Sequence, residues 1–327
     1  MSILFASITL AAATLVPLND LGPQPYLWGY YGGLFEHGSN EIPADHLAGG
    51  LAMAAKIQPL DASGKPSPDG KIVMMSVGYG NTSKTFEQFM AMAATASRVD
   101  REHLVMVNAA GPGFGAKQWD QTWDWNYARV NTDVLPAAGV TPEQVQVLWV
   151  QLINEHPFAP LGIQYAEAYQ IKGFMSDALR MMKNFFYPNL QIAYLSSTEY
   201  GGYDTGDYYP EPYAYESAFA VRWVIEGQLS WARTGNLWDT RIGDVDYTRG
   251  SVPWVTWGPY LWANGETPRS DGLAWYREDF EADGANLSAA GARKSGTMLF
   301  NFMMREPTAA KWFRTSDIPS RRRAAKH

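Results

Sequence analysis

Five short apolar runs alternate with longer segments of helical periodicity, and this alternation restricts the fold of the 327-residue chain more than any other feature. The runs are bounded by Gly, Pro and polar residues, as strands are, and they span residues 71–77, 103–107, 145–153, 191–195 and 252–257. The helical segments span residues 85–97, 117–130, 165–185, 213–231 and 289–304. Strands that alternate with helices form a parallel sheet covered on both faces, so the sequence predicts a three-layer α/β/α fold with five parallel strands.

The chain shows no internal repeat and no Pro- or Ser-rich linker, which favours a single domain at residues 17–313. Residues 17–68 precede the first predicted strand, and we expect them to form an irregular N-terminal extension packed on the sheet. Four basic residues lie near the end of the chain, and we expect residues 314–327 to be a basic, solvated tail; the four are Arg321, Arg322, Arg323 and Lys326.

An apolar run from Ile3 to Val16 resembles the hydrophobic region of a signal peptide, with small residues at Ala11–Ala13 that suit a cleavage site. The run is too short to span a bilayer. No Lys or Arg precedes it, so a buried N-terminal segment and a misplaced start codon are alternatives. We expect residues 1–16 to be a signal peptide and the protein to be secreted or periplasmic, without insertion in the membrane.

The composition excludes several functional classes. A formal net charge of −7 is unfavourable for an extended nucleic-acid surface, which needs clustered Lys and Arg. The absence of cysteine excludes disulfides, thiolate metal sites and a cysteine nucleophile. No metal-binding motif is present, and the glycines at residues 111–115 have the wrong spacing for a dinucleotide-binding loop. We therefore expect no nucleic-acid partner, no metal and no cofactor.

The loops after the predicted strands are where a ligand should bind, because parallel sheets place their sites at the carboxyl ends of the strands. These loops are rich in Gly, Asn and aromatic residues, although any one of them is equally typical of a tight turn. They span residues 78–83, 108–115, 154–157, 196–212 and 257–262, and a further loop at 283–288 precedes the last helix.

The chain resembles the SGNH (GDSL-type) hydrolases from about Pro17 to Phe313, and within them a little-characterised branch of secreted bacterial proteins. The resemblance is carried by the segments PLNDLG, GGLFEHGSN, PLDASGKP, PEPYAYESAFAVRW and WGPYLWANG. It implies a flavodoxin-like sheet with a nucleophilic Ser after the first strand and an oxyanion Gly after the second. It also implies an Asn after the third strand and an Asp-x-x-His pair before the last helix.

Two of these family positions carry other residues here. The nucleophile position is Gly80, in the segment Gly78-Tyr79-Gly80-Asn81, and the base position is Asn286, three residues after Asp283. The oxyanion positions correspond to Gly113, beside a proline that has no N–H to donate, and to Asn154. Because acyl transfer through serine needs both a nucleophilic oxygen and a base, the standard mechanism is not expected to operate.

Two classes of function remain. The first is a catalytically impaired hydrolase scaffold that binds a carbohydrate-like or other small ligand on an aromatic rim, since rings stack on the apolar face of a sugar. The candidate ligand-binding residues are Asn81, His156, Tyr200, Trp257, Tyr260, Trp262, Arg269 and Asp271. We expect about half of the rim aromatics to be ordinary core packing.

The second class is an active esterase or deacetylase that acts on esters or acetylated carbohydrates through a displaced nucleophile and base, such as Ser83 with His156. Ser76, Thr82 and Ser288 are other hydroxyls near the vacant positions, and each is typical of a turn or helix cap. His46 would reach the site if the N-terminal extension folds over it. The sequence does not distinguish natural from deliberate loss of the catalytic pair, and it does not determine the oligomeric state.

Overall fold

The computed structural model describes residues 15–236 and 239–315. The predicted signal peptide, apart from its last two residues, and the four basic residues of the predicted tail therefore lie outside the described residues. No helix in the described ranges is both long enough and apolar enough to cross a bilayer.

All five predicted strands are present, with ends within two residues of the predicted ones. A two-residue antiparallel pair near the N-terminus, β1 (Pro25–Tyr26) and β2 (Tyr30–Tyr31), precedes them. The sheet consists of β3 (Ile72–Gly78), β4 (Leu104–Asn108), β5 (Val145–Gln151), β6 (Ile192–Leu195) and β7 (Trp254–Trp257).

The five strands are parallel and lie in the order β4-β3-β5-β6-β7. This is the flavodoxin-like order, and it confirms the predicted fold class. Every residue of β3, β5, β6 and β7 is buried, because helices cover both faces of the sheet.

Eight helices accompany the sheet in the described ranges, with additional single turns of 3₁₀ and π helix. They are α1 (Leu18–Leu21), α2 (Ala44–Ala54), α3 (Gly80–Thr95), α4 (Trp125–Arg129), α5 (Leu135–Ala137), α6 (Glu167–Met181), α7 (Tyr213–Thr234) and α8 (Ala289–Arg305).

Two hydrophobic cores lie on opposite faces of the sheet. Alternate residues of β3 point into different cores: Val73, Met75 and Val77 into one, Ile72 and Met74 into the other. The first core is completed by α6 and α7, and the second by α2, α3 and α8. The result is a three-layer α/β/α arrangement.

Three parts of the secondary structure differ from the prediction. The first of the predicted helices, α3, begins at Gly80 rather than near residue 85. Its first turn is the polar segment that the sequence indicated as a loop. The segment at residues 117–130 is helical only in part: residues 119–124 form turns, and the Gln121 N–H donates to the Asp124 carboxylate (2.9 Å). The N-terminal extension contains α2, which buries Met53 and Ala54 in the second core.

The strand order defines where a crevice forms. The chain leaves β3 for β4 on one side and returns to β5 on the other, with α3 and α6 on opposite faces. In such sheets the ligand crevice opens between the carboxyl ends of the two central strands. Here these ends are Gly78 and Gln151, which are paired in register.

Candidate functional site

Gly80 is the first residue of α3, two residues beyond the end of β3. Glycine is required at Gly78, where a Cβ atom would lie 2.1 Å from the Gln151 carbonyl oxygen and φ is +154°. Position 80 is different, because its backbone is helical and a Cβ atom there would have nothing nearer than the Asn286 Oδ1 atom at 3.7 Å and Pro112 at 3.9 Å. The structure therefore has room for a side chain at Gly80, and that side chain would face Asn286.

Asn286 is hydrogen-bonded to Asp283 through both its side chain and its backbone. The Asn286 Nδ2 atom donates to Oδ2 of Asp283 (2.7 Å), and the backbone N–H groups of Ala285 and Asn286 donate to Oδ1 (2.9 Å each). Partial burial alone would raise the pKa of Asp283, but these hydrogen bonds outweigh it and hold the pKa below its ordinary value. Residue 80, Asn286 and Asp283 are thus neighbours, in that order, beside the start of α3.

Asn81 joins this loop to α3. Its Nδ2 atom donates to the Ala285 carbonyl (3.0 Å), and its Oδ1 atom accepts from the Leu287 N–H (2.9 Å). Lys84 adds a hydrogen bond to the Leu287 carbonyl (2.7 Å). Ser288 caps α8 by accepting from the Gly291 N–H (3.3 Å), so this hydroxyl has the capping role that its position predicts. Asn81 therefore positions the Asp283–Asn286 loop.

The two oxyanion positions have different surroundings. Gly113 has a φ of +75° and no atom within 4 Å of a Cβ position, so it lies in open space on the loop whose Pro112 faces Gly80. Asn154 is buried and donates to the Glu167 carboxylate (2.7 Å) at the start of α6. The amide of Asn154 is therefore engaged with the α6 terminus in this structure.

The structure adds a buried carboxyl group that the sequence did not indicate. Glu199, in the loop after β6, accepts hydrogen bonds from Tyr79 (3.3 Å), Gln151 (3.2 Å) and Ser295 (3.2 Å). Burial raises the pKa of Glu199 above its ordinary value, although the hydrogen bonds from these three donors act to lower it. A cavity of 20 Å³ lies against Glu199, Tyr79 and Asn81, which is enough volume for a single water molecule. The only sequence signal was an acid at the carboxyl end of a strand.

Four of the predicted ligand-binding residues line a cleft of 780 Å³ at the carboxyl end of β7. Trp257 and Tyr260 are only 4% and 5% exposed, and they bind the N-terminal segment: the Trp257 indole donates to the Leu34 carbonyl (2.5 Å), and the Tyr260 hydroxyl accepts from the Leu18 N–H (3.0 Å). Arg269 and Asp271 form an ion pair on the same wall. These four residues build the wall of the cleft, and the two rings expose little surface for stacking.

The remaining candidates are dispersed. Trp262 is fully buried and donates to Glu211 (2.7 Å), so it has no face for a ligand. Tyr200 borders the small cavity beside Glu199. His156 is exposed and has a φ of +58°, and its Nδ1 atom lies 3.2 Å from the Asp207 carbonyl oxygen.

The displaced pair of the second hypothesis is not assembled. The Ser83 hydroxyl accepts from the Asn108 side chain (2.9 Å), whereas His156 is hydrogen-bonded to the loop after β6. His46 is buried against Trp254, 4.8 Å between ring centroids, with Nε2 bonded to the Val255 carbonyl (2.8 Å). The His46 ring therefore supports β7. Across residues 15–236 and 239–315, no cluster of three or more His, Asp or Glu side chains is placed to hold a metal ion.

Two further carboxyl groups, those of buried Glu216 and half-buried Glu211, tie the loops to α7. Glu216 accepts from the Tyr26 hydroxyl (2.9 Å) and the Leu161 N–H (2.8 Å). Glu211 accepts from Trp262 and from two backbone N–H groups. Burial raises the pKa of both groups to about 7.

This burial predicts a pH-dependent stability. A carboxyl group whose pKa is higher in the folded state stabilises the fold below its unfolded pKa, and that contribution is lost as the pH rises to about 7. Glu216→Gln does not titrate and can still accept from Leu161 and donate to Tyr26. We expect the variant to gain up to about 3 kcal/mol over the wild type between pH 4.5 and 8, measured by urea unfolding.

The wild type must be compared with the variant because the titration of His46 changes the stability with pH in the opposite direction. Burial lowers the His46 pKa to about 4, so its contribution to stability grows as the pH rises from 4 towards 6.5. Both proteins share this effect, and it cancels in their difference. A difference that is constant over the whole pH range would contradict the raised pKa of Glu216.

Comparisons with known proteins leave the family open. No protein-family model matches the chain, and no curated protein matches it. A solved structure, described as a gut microbial diltiazem-metabolizing enzyme, matches with 13% sequence identity and a TM-score of 0.28. The match covers 54% of this chain and 38% of that protein, so the chain spans well under half the length of the structure that it matches.

Proposed function

We propose that this protein is a non-hydrolytic binding protein on an SGNH-hydrolase-like scaffold, and that its rim holds a carbohydrate-like or other small ligand. The observation that carries the proposal is the alignment of positions 80, 286 and 283. Asn286 keeps the hydrogen bond to Asp283 that a catalytic histidine would make, while Gly80 supplies no oxygen.

The chemistry of the two residues supports a loss of turnover. A carboxamide does not accept a proton at neutral pH, and glycine has no atom that can attack a carbonyl carbon. Residues of a catalytic triad act as a unit, so the absence of two members removes about as much activity as the absence of one.

The proposed ligand site is the 780 Å³ cleft at the carboxyl end of β7, whose lining includes neither Gly80 nor Asn286. Its volume lies in the range of about 300–1,000 Å³ that is typical of small-molecule sites. Partly buried apolar side chains line it together with exposed polar ones: Leu34, Ile42, Leu273, Met298 and Phe302 with Asn40, Glu41, Asp271 and Asn301. This mixture suits an amphipathic ligand such as an oligosaccharide.

The direct test is a fluorophosphonate probe followed by intact-mass measurement. We expect no adduct on the purified protein, and no hydrolysis of nitrophenyl acetate above the buffer rate. A panel of acetylated and unmodified oligosaccharides is expected to include at least one that raises the melting temperature. A stoichiometric adduct on a single serine, lost in Ser83→Ala, would instead establish the esterase with a displaced nucleophile.

A further inference from the structure

A second concave site lies on the outer side of α6, apart from the rim. A groove of 320 Å³ runs over Gly173 between the rings of Tyr165, Tyr169 and Phe174, and we call it the α6 groove. A Cβ atom at Gly173 would meet only the Arg241 carbonyl oxygen, at an ordinary contact distance of 3.4 Å. Packing does not require glycine here, and the missing side chain opens the groove. Because α6 and α3 cover opposite faces of the sheet, this site is separate from Gly80.

The aromatic walls include one exposed ring and one that is held in place. Tyr165 is 62% exposed. The Tyr169 ring stacks on Trp223 (5.2 Å between centroids, 20° between planes), and its hydroxyl is hydrogen-bonded to that of Tyr30 (2.8 Å). A large exposed ring beside a preorganised one is an arrangement that binds the apolar face of a ring-shaped ligand at low cost in entropy.

The groove also carries the guanidinium of Arg241, which the Asp239 carboxylate attracts from beyond ion-pair distance. The carboxylates nearby are already paired, Asp177 with Arg180 and Asp239 with Lys172. Arg241 lies with its guanidinium 5.1 Å from the Tyr169 ring centroid and forms no ion pair with any residue in the described ranges. An arginine beside an aromatic wall pairs most strongly with a carboxylate, which it binds through two parallel hydrogen bonds.

Hydrogen-bond acceptors complete the lining. The Gln170 amide nitrogen donates to the Tyr165 carbonyl (3.1 Å), which leaves the amide oxygen as an acceptor. The Asp177 carboxylate borders the same groove. Acceptors of this kind bind hydroxyl groups. The ligand that fits is therefore a ring with one apolar face, several hydroxyls and a single carboxylate.

We propose that the α6 groove binds a hexuronate residue of an acidic carbohydrate, with the sugar ring against Tyr165 and its carboxylate on Arg241. This site is independent of the function proposed for the rim. A variant changed at Gly80 and Asn286 should bind the acidic sugar as well as the wild type does, so the failure of one proposal is distinguishable from the failure of the other.

The test is calorimetric titration with a trimer of galacturonic acid and with the matched neutral trimer of galactose. The wild type is expected to bind the acidic trimer at least about tenfold more tightly, as expected for a charge-assisted pair. Arg241→Gln should remove that difference, and Tyr165→Ala should weaken the binding of both trimers. Equal affinity for the two trimers, or no saturable binding of the acidic one, overturns the proposal.

Two controls separate binding from folding. Gly173→Leu fills the groove without removing a ligand-binding group, and leucine has a higher helix propensity than glycine. This variant should lose binding while its melting temperature is unchanged or higher. Trp123→Ala removes a ring that is 78% exposed on another loop, and it should bind as the wild type does. Full binding by Gly173→Leu would place the sugar elsewhere.

Discussion

The double variant Gly80→Ser/Asn286→His is expected to hydrolyse nitrophenyl acetate on the order of 10³-fold faster than the wild-type protein or either single variant. Position 80 accepts a side chain, since a Cβ atom there has no neighbour nearer than 3.7 Å. An imidazole at 286 can place Nδ1 where the Asn286 amide nitrogen now lies, 2.7 Å from Asp283. The other edge of the ring then points towards the new hydroxyl, as a general base requires.

The single variants are expected to be inert, because a serine without a base and a histidine without a nucleophile do not complete the unit. Adding Asp283→Asn to the double variant should remove most of the gained activity, since the imidazole loses the carboxylate that orients it. Pro112, which offers no N–H beside the new serine, limits the rate that we expect. A double variant that folds normally but stays at the buffer rate would falsify the alignment of these three positions.

The second large effect is expected on stability, at Glu211. Its carboxylate accepts from the Gly201 N–H (2.9 Å), the Tyr215 N–H (3.0 Å) and the Trp262 indole (2.7 Å). Glu211→Ala leaves all three donors buried without a partner. We expect the free energy of unfolding to fall by about 3–5 kcal/mol, measured by urea unfolding at neutral pH.

Two matched variants give this prediction its controls. Glu211→Gln keeps one oxygen for two of the donors and places an amide N–H₂ against the third, so its loss should be about 1–2 kcal/mol. Glu278→Ala removes an exposed carboxylate and should change stability by less than about 0.5 kcal/mol. The prediction fails if Glu211→Ala unfolds at the same urea concentration as Glu278→Ala.

The sheet could be predicted from the sequence because its signals are local. Each strand is a short apolar run closed by Gly, Pro or polar residues, and each of α6, α7 and α8 shows helical spacing of apolar residues. The proximity of residues 80 and 286 follows from these local signals together with the family resemblance, since each lies at or just before the start of a helix, and both helices, α3 and α8, pack in the same core. The turns at residues 119–124 were missed, because hydrogen bonds such as that from Gln121 to Asp124 leave no periodic pattern.

Exposure of the rim aromatics could not be predicted in the same way. Trp257 is the last residue of β7 and Tyr260 follows it, which predicts both at this edge of the sheet, but the N-terminal segment covers them through Leu34 and Leu18. That cover depends on contacts more than 200 residues apart along the chain. Tyr165 is the first residue of the predicted helix at 165–185, but α6 begins at Glu167, so helical periodicity does not determine the exposure of Tyr165.

The hydrogen bond between Asn286 and Asp283 also bears on how such a protein can change over time. It helps to hold the loop before α8 in place, and Gly80 adds neither a clash nor a backbone strain. We therefore expect that exchanging serine for glycine at position 80, or histidine for asparagine at position 286, has little effect on the stability of the fold. Under the proposed function, the catalytic residues of this scaffold are lost or regained without passing through an unstable intermediate.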